Sequence, residues 1–211
     1  MRIKAPRWFE QFRWFRALKD ARAGLKVRRW NGRGRPVPPP SAFKQDVLRA
    51  YGRQYGLKTL VETGTLHGDT LFRLVDDFDR LYSIELSPEL HAKARERFRR
   101  FPKISLIQGD SGVKIAEVVA QLDAPALFWL DGHYSSGETA KAELETPILE
   151  ELRTLFHLNP RPPVLLIDDA RLFGTDQDYP SIPALREFVA EHGPGWKMEI
   201  ADDIIRLTPP A

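Results

Sequence analysis

The sequence contains no cysteine among its 211 residues. Disulfides, thiolate nucleophiles and cysteine-based zinc sites are therefore excluded. No stretch approaches the roughly 20 consecutive apolar residues of a membrane-spanning helix. Arg and Lys also interrupt the first residues repeatedly, where a secretory signal would place its apolar run. We therefore expect a cytoplasmic protein, with peripheral contact to a membrane as an alternative.

Two nucleotide-binding motifs are also missing. The chain has neither the G-x-G-x-x-G fingerprint of dinucleotide-binding folds nor a P-loop that ends in Lys followed by Ser or Thr. The rest of the composition is ordinary for a globular protein, with 42% hydrophobic and 29% charged residues. The length fits one domain with a buried core.

Positive charge is concentrated in the first 40 residues. They hold twelve basic and two acidic residues, a net charge of +10, whereas residues 41–211 hold 20 basic and 27 acidic residues, a net charge of −7. We expect residues 1–40 to form a basic amphipathic arm with a Pro-rich linker at 35–40, and residues 41–211 to form the α/β domain. Ser41 is the predicted N-cap of a helix that runs to about Tyr55.

Aromatic residues recur at helical spacing within the arm. Trp8, Phe12 and Phe15 follow one another at i, i+4 and i+7, and Phe9 and Leu18 lie near them. A basic helix with bulky aromatics is typical of an interfacial membrane anchor or of contact with another polyanion. The same pattern fits a helix that packs on the domain or on a second subunit of a homo-oligomer. A transit peptide is a third alternative.

From Lys58 onward, short apolar runs alternate with helical patterns. This alternation predicts an α/β fold, a doubly wound Rossmann-like sheet that is mostly parallel and covered by helices on both faces. Two last runs predict a hairpin that ends the sheet with an antiparallel strand. The expected strands are 59–62, 81–86, 104–108, 126–130, 164–167, 197–201 and 203–207, and the expected helices are 69–78, 88–101, 112–122, 138–157 and 181–192.

The first predicted strand ends in a segment that we call the glycine loop, residues 62–68. In such sheets ligands bind beyond the carboxyl ends of the strands. Gly64 and Gly68 allow a sharp turn and a close approach of the backbone to a ligand, and the next helix points its N-terminus at it. Glu62 would repel a pyrophosphate and suits a cationic or amino-bearing ligand. A tight turn without a ligand is the alternative.

The next two strand ends are also acidic. Glu85 ends the second strand, where a carboxylate can accept both hydroxyls of a ribose, although a solvated charge before a helix gives the same pattern. Asp110 and Ser111 follow the third strand and could meet an adenine amino group. S-adenosylmethionine (SAM) has the ammonium, ribose and adenine groups that would satisfy all three strand ends.

Residues 58–207 resemble a class I SAM-dependent methyltransferase, because the glycine loop, the acidic Glu85, the Gly109-Asp110 pair and the closing hairpin follow in the expected order. The resemblance implies a seven-stranded sheet in the order 3-2-1-4-5-7-6. It also implies that Glu62 lies near the methionine amino group, Glu85 on the ribose and Asp110 beside the adenine. The predicted cofactor-binding residues are Glu62, Gly64, Thr65, Gly68, Glu85, Asp110 and Ser111.

Further aspartates end the fourth and fifth strands. In the implied order, Asp131 lies one strand spacing, roughly 5 Å, from Asp168 and Asp169, and carboxylates that close need a proton or a cation between them. Oxygen ligands favour Mg²⁺ or Mn²⁺. The arrangement is similar to that of metal-dependent O-methyltransferases of the macrocin and novobiocin biosynthesis type. This implies a metal site of Asp131, Asp168 and Asp169, although those enzymes usually carry a second Asp where this chain has His133.

The resemblance implies methyl transfer from SAM to a hydroxyl group of a small molecule or sugar, assisted by the metal. Asp131 or His133 is the predicted base, and His133 could instead orient the substrate or bond to a nearby carbonyl. Two rival functions are a nicotinamide-dependent oxidoreductase and a non-catalytic scaffold that sits on a membrane or polyanion through its basic arm. We expect no nucleic-acid partner.

Overall fold

The computed structural model describes residues 10–132, 147–158, 163–176 and 179–210. Trp8, Phe9, His133 and the predicted helical residues 138–146 lie outside the described residues. The elements in chain order are α1 (Arg13–Asn31), α2 (Ser41–Gln54), β1 (Thr59–Thr63), α3 (Asp69–Leu74), β2 (Arg80–Glu85), α4 (Pro88–Phe98), β3 (Ile104–Gln108), α5 (Ser111–Val119), β4 (Ala126–Leu130), α6 (Ile148–Leu158), β5 (Val164–Ile167), a 3-10 turn (Ala170–Leu172), α7 (Ile182–His192), β6 (Lys197–Ala201) and β7 (Ile204–Thr208).

The strands form one seven-stranded sheet in the order β3-β2-β1-β4-β5-β7-β6. Strands β1 to β5 pair in parallel, and β7 is antiparallel to both β5 and β6. This confirms the predicted sheet order and the closing hairpin. Strand β7 begins one residue later than predicted because Asp202 and Asp203 form the turn, with φ of 53° and 63°. Two consecutive residues with positive φ are typical of the tight turn that joins the twisted strands of a hairpin.

Alternate residues of the central strands face opposite layers. Val61 and Phe128 pack with α5, α6 and α7 on one face. Leu60, Leu127 and Trp129 pack with α2, α3 and α4 on the other. A parallel sheet covered on both faces needs apolar residues at successive positions, which explains why these strands were visible in the sequence as short continuous apolar runs.

The helix starts follow the predicted signals only in part. Ser87 caps α4 as predicted, because its Oγ accepts a hydrogen bond from the backbone N–H of Leu90 over 3.3 Å, with Pro88 in the first turn. The prediction for Ser41 is wrong. Pro40 is extended and occupies the N-cap position of α2, so that Ser41 is already the first helical residue and makes no capping hydrogen bond.

Helix α1 packs on α2 and α3. Because α1 begins at Arg13, Phe12 precedes the helix and does not share the predicted aromatic face with Phe15. Phe15 packs against the apolar cluster of the domain. The arm also contacts the domain at its far end, where the ring of the buried Trp30 packs on that of Phe43 in α2, with the ring centroids 4.6 Å apart. In the part of the chain that the structure describes, no helix is long and apolar enough to cross a bilayer.

Two helical glycines, one in α2 and one in α1, provide a matched test of how closely α2 packs on Phe78. A Cβ added at Gly52 of α2 would lie 2.8 Å from the ring of the buried Phe78, whereas one added at Gly24 of α1 would meet nothing within 4 Å. We expect Gly52→Ala to lower the free energy of unfolding by about 1–3 kcal/mol through overpacking, although alanine favours helix. Gly24→Ala should raise it by up to about 1 kcal/mol. Urea unfolding followed by circular dichroism measures both, and shifts in the same direction would contradict the packing described for α2.

Candidate functional site

A cleft of about 160 Å³ opens at the carboxyl ends of β1, β4 and β5, on the side of the sheet that α2 and α3 cover. On this measure one water needs about 10–15 Å³, so the cleft accepts a group of roughly amino-acid size. Among the predicted site residues, its walls bring together Glu62, Gly64, Thr65, Asp131 and Asp168. The other described candidates do not line the cleft; they are Gly68, Glu85, Asp110, Ser111 and Asp169.

Glu62 is a buried carboxyl in the wall of the cleft, with 2% of its surface exposed. The hydroxyl of Ser83 donates to its Oε2 over 2.9 Å. Burial raises the pKa of Glu62 to about 8, against the hydrogen bonds from Ser83 and Thr70 that favour the charged form. When burial disfavours the charged form of a carboxyl, a cationic ligand beside it stabilises that form. The position therefore suits an ammonium group.

The glycines of the loop are needed mainly for contacts within the chain. A Cβ at Gly64, where φ is +83°, would lie 2.5 Å from the carbonyl oxygen of Asp131. A Cβ at Gly68, where φ is +72°, would overlap the ring of Phe98. The predicted close approach to a ligand is therefore an approach to β4 at Gly64 and to α4 at Gly68. Only Gly64 also lines the cleft.

Glu85 is buried and ties two loops together. Its Oε2 accepts from the backbone N–H of Leu66 over 2.8 Å, and its Oε1 accepts from that of Ser87 over 2.9 Å. The alternative of a solvated charge is therefore wrong for this residue, which is 4% exposed. Each carboxylate oxygen can accept more than one hydrogen bond, so the contact with a ribose stays a prediction.

Asp110 caps helix α5. Its Oδ1 accepts from the backbone N–H of Gly112 over 2.9 Å, and Ser111 is the first, buried residue of the helix. The structure thus gives Asp110 a local role that needs no ligand, and the contact of Asp110 and Ser111 with an adenine remains a prediction.

Asp131 is held at the end of β4 by Thr63 of the neighbouring strand. The hydroxyl of Thr63 accepts from the backbone N–H groups of Asp131 and Gly132, each over 3.2 Å. Burial raises the pKa of the Asp131 carboxyl well above its usual range, and the nearby Asp168 and Glu62 raise it further. Such a carboxyl is a stronger proton acceptor once it is ionised.

A lysine from α2 lies where a metal ion was predicted. The Nζ of Lys44 is 2.5 Å from Oδ1 of Asp168 and 2.9 Å from Oδ1 of Asp169. Burial opposes the ammonium form, but the two aspartates more than offset this and raise the pKa of Lys44. Arg171 adds a second cation at Asp169, over 2.6 Å. The site therefore contains its own positive charges.

The predicted magnesium site is not formed by the described residues. No group of three or more acidic, histidine or cysteine side chains in residues 10–132, 147–158, 163–176 and 179–210 is arranged to hold a metal ion. The physical reason is that the Lys44 ammonium contacts Asp168 and Asp169 and supplies the cation that closely spaced carboxylates require. Asp168 and Asp169 share the Lys44 ammonium, and Asp131 lines the same cleft as Asp168.

Sequence reasoning missed Lys44 and Arg171. Lys44 lies 125 residues before its partner Asp169, and a lysine three residues into a helix is unremarkable by sequence pattern. Arg171 left a weak signal, because it stands two residues after the aspartate pair. Gln45 and Trp129, which also line the cleft, were missed for the same reason, since both belong to patterns that predict ordinary helix or core.

Comparison with known proteins identifies the fold. No protein-family model matches the sequence, and no curated protein is similar to it in sequence. Solved structures are similar along most of the chain. The SAH-bound methyltransferase PaMTH1 of Podospora anserina matches with a TM-score of 0.58 at 16% identity, over 90% of this chain and 88% of that one.

Two O-methyltransferases match comparably. TomG of Streptomyces achromogenes, involved in tomaymycin synthesis and bound to SAM, has a TM-score of 0.55 at 19% identity, over 90% of this chain and 89% of that one. The Bacillus cereus enzyme, bound to SAH, has a TM-score of 0.57 at 13% identity, over 89% and 90%. The predicted resemblance is thereby confirmed for the fold, which is the Rossmann-like fold of SAM-dependent methyltransferases.

The raised pKa of Glu62 predicts a pH-dependent stability. The folded protein retains the proton up to about pH 8, whereas the unfolded chain releases it near its ordinary value of about 4.3. The free energy of unfolding must therefore fall as the pH rises between these two values. We expect Glu62→Gln to gain stability relative to the unaltered protein as the pH rises from 5 to 8. In a chain of this size about 1 kcal/mol corresponds to 2–4 °C of melting temperature.

Calorimetric melting at each pH measures this difference, and the exposed Glu187 offers a matched control in Glu187→Gln. A difference between Glu62→Gln and the unaltered protein that stays constant across this range would show that Glu62 ionises normally.

Removal of the Lys44 ammonium should destabilise the protein, because this group neutralises the aspartate cluster of Asp168 and Asp169. Because Lys44→Met leaves the buried Asp168 without its cation and Asp169 with Arg171 alone, we expect the free energy of unfolding at pH 7.5 to fall by about 3–5 kcal/mol. The loss should shrink at pH 5, where Asp168, whose pKa burial raises to about 6, takes up a proton. Lys58→Met, at an exposed lysine, is the matched control for urea unfolding.

Comparison of Lys44→Ala with the unaltered protein tests whether the aspartates bind a metal ion. We expect millimolar Mg²⁺ or Mn²⁺ to raise the melting temperature of Lys44→Ala, where the cluster is open to an ion, and to leave that of the unaltered protein unchanged. An equal rise in both would contradict the position of Lys44 as the cation of the cluster.

Proposed function

We propose that this chain is a class I SAM-dependent O-methyltransferase that transfers a methyl group to a hydroxyl of a small molecule or sugar. The observation that carries the proposal is the cleft, which collects Glu62, Gly64 and Asp131 at the carboxyl ends of β1 and β4. It lies in a sheet whose strand order is that of the methyltransferase fold. The similar structures named above contain SAM or SAH.

The residues of the cleft fit the methionine end of SAM. Glu62, buried and hydrogen-bonded by Ser83, accepts the ammonium group and is returned to its charged form by it. The cleft has the size of an amino-acid group, as its volume of about 160 Å³ indicates. The bound cofactor supplies an activated methyl group on a sulfonium, which is a good leaving group. The protein therefore has to position and deprotonate the acceptor.

Asp131 is the base that the geometry favours among the described residues, because its carboxyl lines the same cleft as Glu62. The acceptor hydroxyl gives its proton to Asp131, and its oxygen forms the new bond to carbon while the carbon–sulfur bond breaks. Lys44 holds Asp168 beside this position through its 2.5 Å contact. A divalent metal ion is left out of the proposal, because the described residues do not form its site. His133 remains the alternative base.

A comparison of the affinities of the protein for SAM and for NADH tests the proposal. We expect calorimetry to detect SAM and SAH binding and no NADH binding. Tritiated methyl transfer is then measured with phenols, catechols and sugars as acceptors. A preference for NADH would support an oxidoreductase, and a protein that binds none of these ligands would support a scaffold; either result overturns the proposal.

Substitution of Asp131 separates catalysis from binding. We expect Asp131→Asn to lower the rate of methyl transfer by about 100-fold or more, the usual contribution of a general base, while the affinity for SAH stays close to that of the unaltered protein. In the unaltered protein the rate should rise with pH, because burial raises the pKa of Asp131 and the carboxyl must ionise to accept a proton.

Glu62→Gln is the matched comparison and should show the reverse pattern, with weakened SAH affinity as its main effect. Full turnover by Asp131→Asn would remove Asp131 as the base and leave His133 in that role.

A further inference from the structure

One side of helix α1 is fastened to the domain by ion pairs. Arg16 donates from Nε to Asp76 over 2.7 Å, next to the end of α3. Asp20 accepts from Nε of Arg73 in α3 over 2.6 Å. Phe15 of the same helix packs against the apolar cluster that α2 and α3 cover. The orientation of α1 on the domain is therefore fixed, and so is the side that it turns outward.

The outward side carries an apolar stripe. Trp14 is 59% exposed, Leu18 46% and Leu25 53%. On a helix with 3.6 residues per turn these three positions fall within about 40° of one another. Large exposed apolar side chains that gather in one stripe, and are not scattered singly, mark a surface that contacts another body. We call this surface the outer face of α1.

Cations border the outer face on both sides. Helical spacing places Arg28 on one side of the stripe and Arg22, Lys26 and Arg29 on the other. All four are exposed, and none forms an ion pair with any residue of the part that the structure describes. The cations of the inward side differ, since Arg16 pairs with Asp76 and Lys19 with Glu10 over 3.1 Å. The outer face therefore combines apolar side chains with positive charge that the domain leaves unneutralised.

We propose that the outer face of α1 docks this protein on an anionic phospholipid surface. Tryptophan and leucine enter the boundary between headgroups and acyl chains, while arginine and lysine meet the lipid phosphates. A second copy of the chain is a poor occupant, because two outer faces would bring like charges together. A nucleic acid would use the cations but would offer no apolar surface to the exposed Leu18 and Leu25. The proposal is independent of the enzymatic function proposed above.

Binding to vesicles tests the proposal with the full chain. We expect co-sedimentation with vesicles of phosphatidylcholine and phosphatidylglycerol, and weak binding to phosphatidylcholine alone. Leu18→Ser/Leu25→Ser should lower the partition coefficient by at least about tenfold, because each buried leucine contributes substantially. Arg22→Gln/Arg29→Gln should lower it by about fivefold for each charge removed. Melting temperature and SAM binding, which do not depend on the outer face, should stay unchanged in both variants.

Matched controls remove the same groups elsewhere. Ile200→Ser changes an exposed apolar residue of the edge strand β6, and Lys58→Gln/Lys197→Gln removes two exposed charges. Both should bind vesicles as the unaltered protein does. A blue shift of tryptophan fluorescence on binding should disappear in Trp14→Phe, which keeps the apolar surface.

Three outcomes would overturn the proposal. They are equal binding by the leucine variant and the unaltered protein, binding to an RNA oligonucleotide with no binding to anionic vesicles, and a dimer in sedimentation that the leucine substitutions dissociate without any vesicle binding.

Discussion

The contact of the Lys44 ammonium with two aspartates at the end of β5 determines how the rest of the site is arranged. It ties α2 to the sheet through distances of 2.5 and 2.9 Å to Asp168 and Asp169. Without a cation there, the carboxylates at the ends of β4 and β5 would repel one another or stay protonated. A buried ion pair adds little net stability, since desolvation costs about as much as the attraction returns. Its main effect is to position α2, and with it one wall of the cleft.

The electrostatics of the cleft follow from that contact. Lys44 and Arg171 balance the charge around Asp168 and Asp169, whereas Glu62 and Asp131 stand in the wall of the cleft with pKa values that burial raises. A carboxyl that resists ionisation, as Glu62 does, favours a ligand with positive charge, and Asp131, once it is ionised, is a strong acceptor for the proton of a substrate. SAM, with its ammonium and sulfonium, is such a ligand, and a molecule with a hydroxyl group is such a substrate. The same residues therefore suit binding at β1 and proton transfer at β4.

Helix α2 also connects the cleft with the arm. It contributes Lys44 to the cleft and supports α1 on its outer surface. Part of the arm's charge is used internally, as the pair of Arg16 and Asp76 shows, and part is turned outward. Of the alternatives raised by the sequence, a helix that packs on the domain describes the inward side of α1, and contact with a membrane or polyanion remains a proposal for its outward side. The sequence could not separate them, because the predicted face relied on Phe12 and Phe15, which the helix start at Arg13 divides.

The bounds of the strands to within one residue and the acidic strand ends were determined by the sequence alone, whereas the order of the strands followed from the resemblance to a methyltransferase family. Apolar runs such as Ala126–Leu130 are a local consequence of burial on both faces of a parallel sheet. The partners of the acidic residues were decided only by the tertiary structure. Lys44 reaches Asp169 across 125 residues of chain, and Gly68 meets Phe98 of α4 where a ligand was expected. Local sequence patterns record which residues are buried. Which charge neutralises a buried carboxylate depends on how separate elements pack, and the sequence therefore could not predict that Lys44 contacts the two aspartates that were assigned to a metal ion.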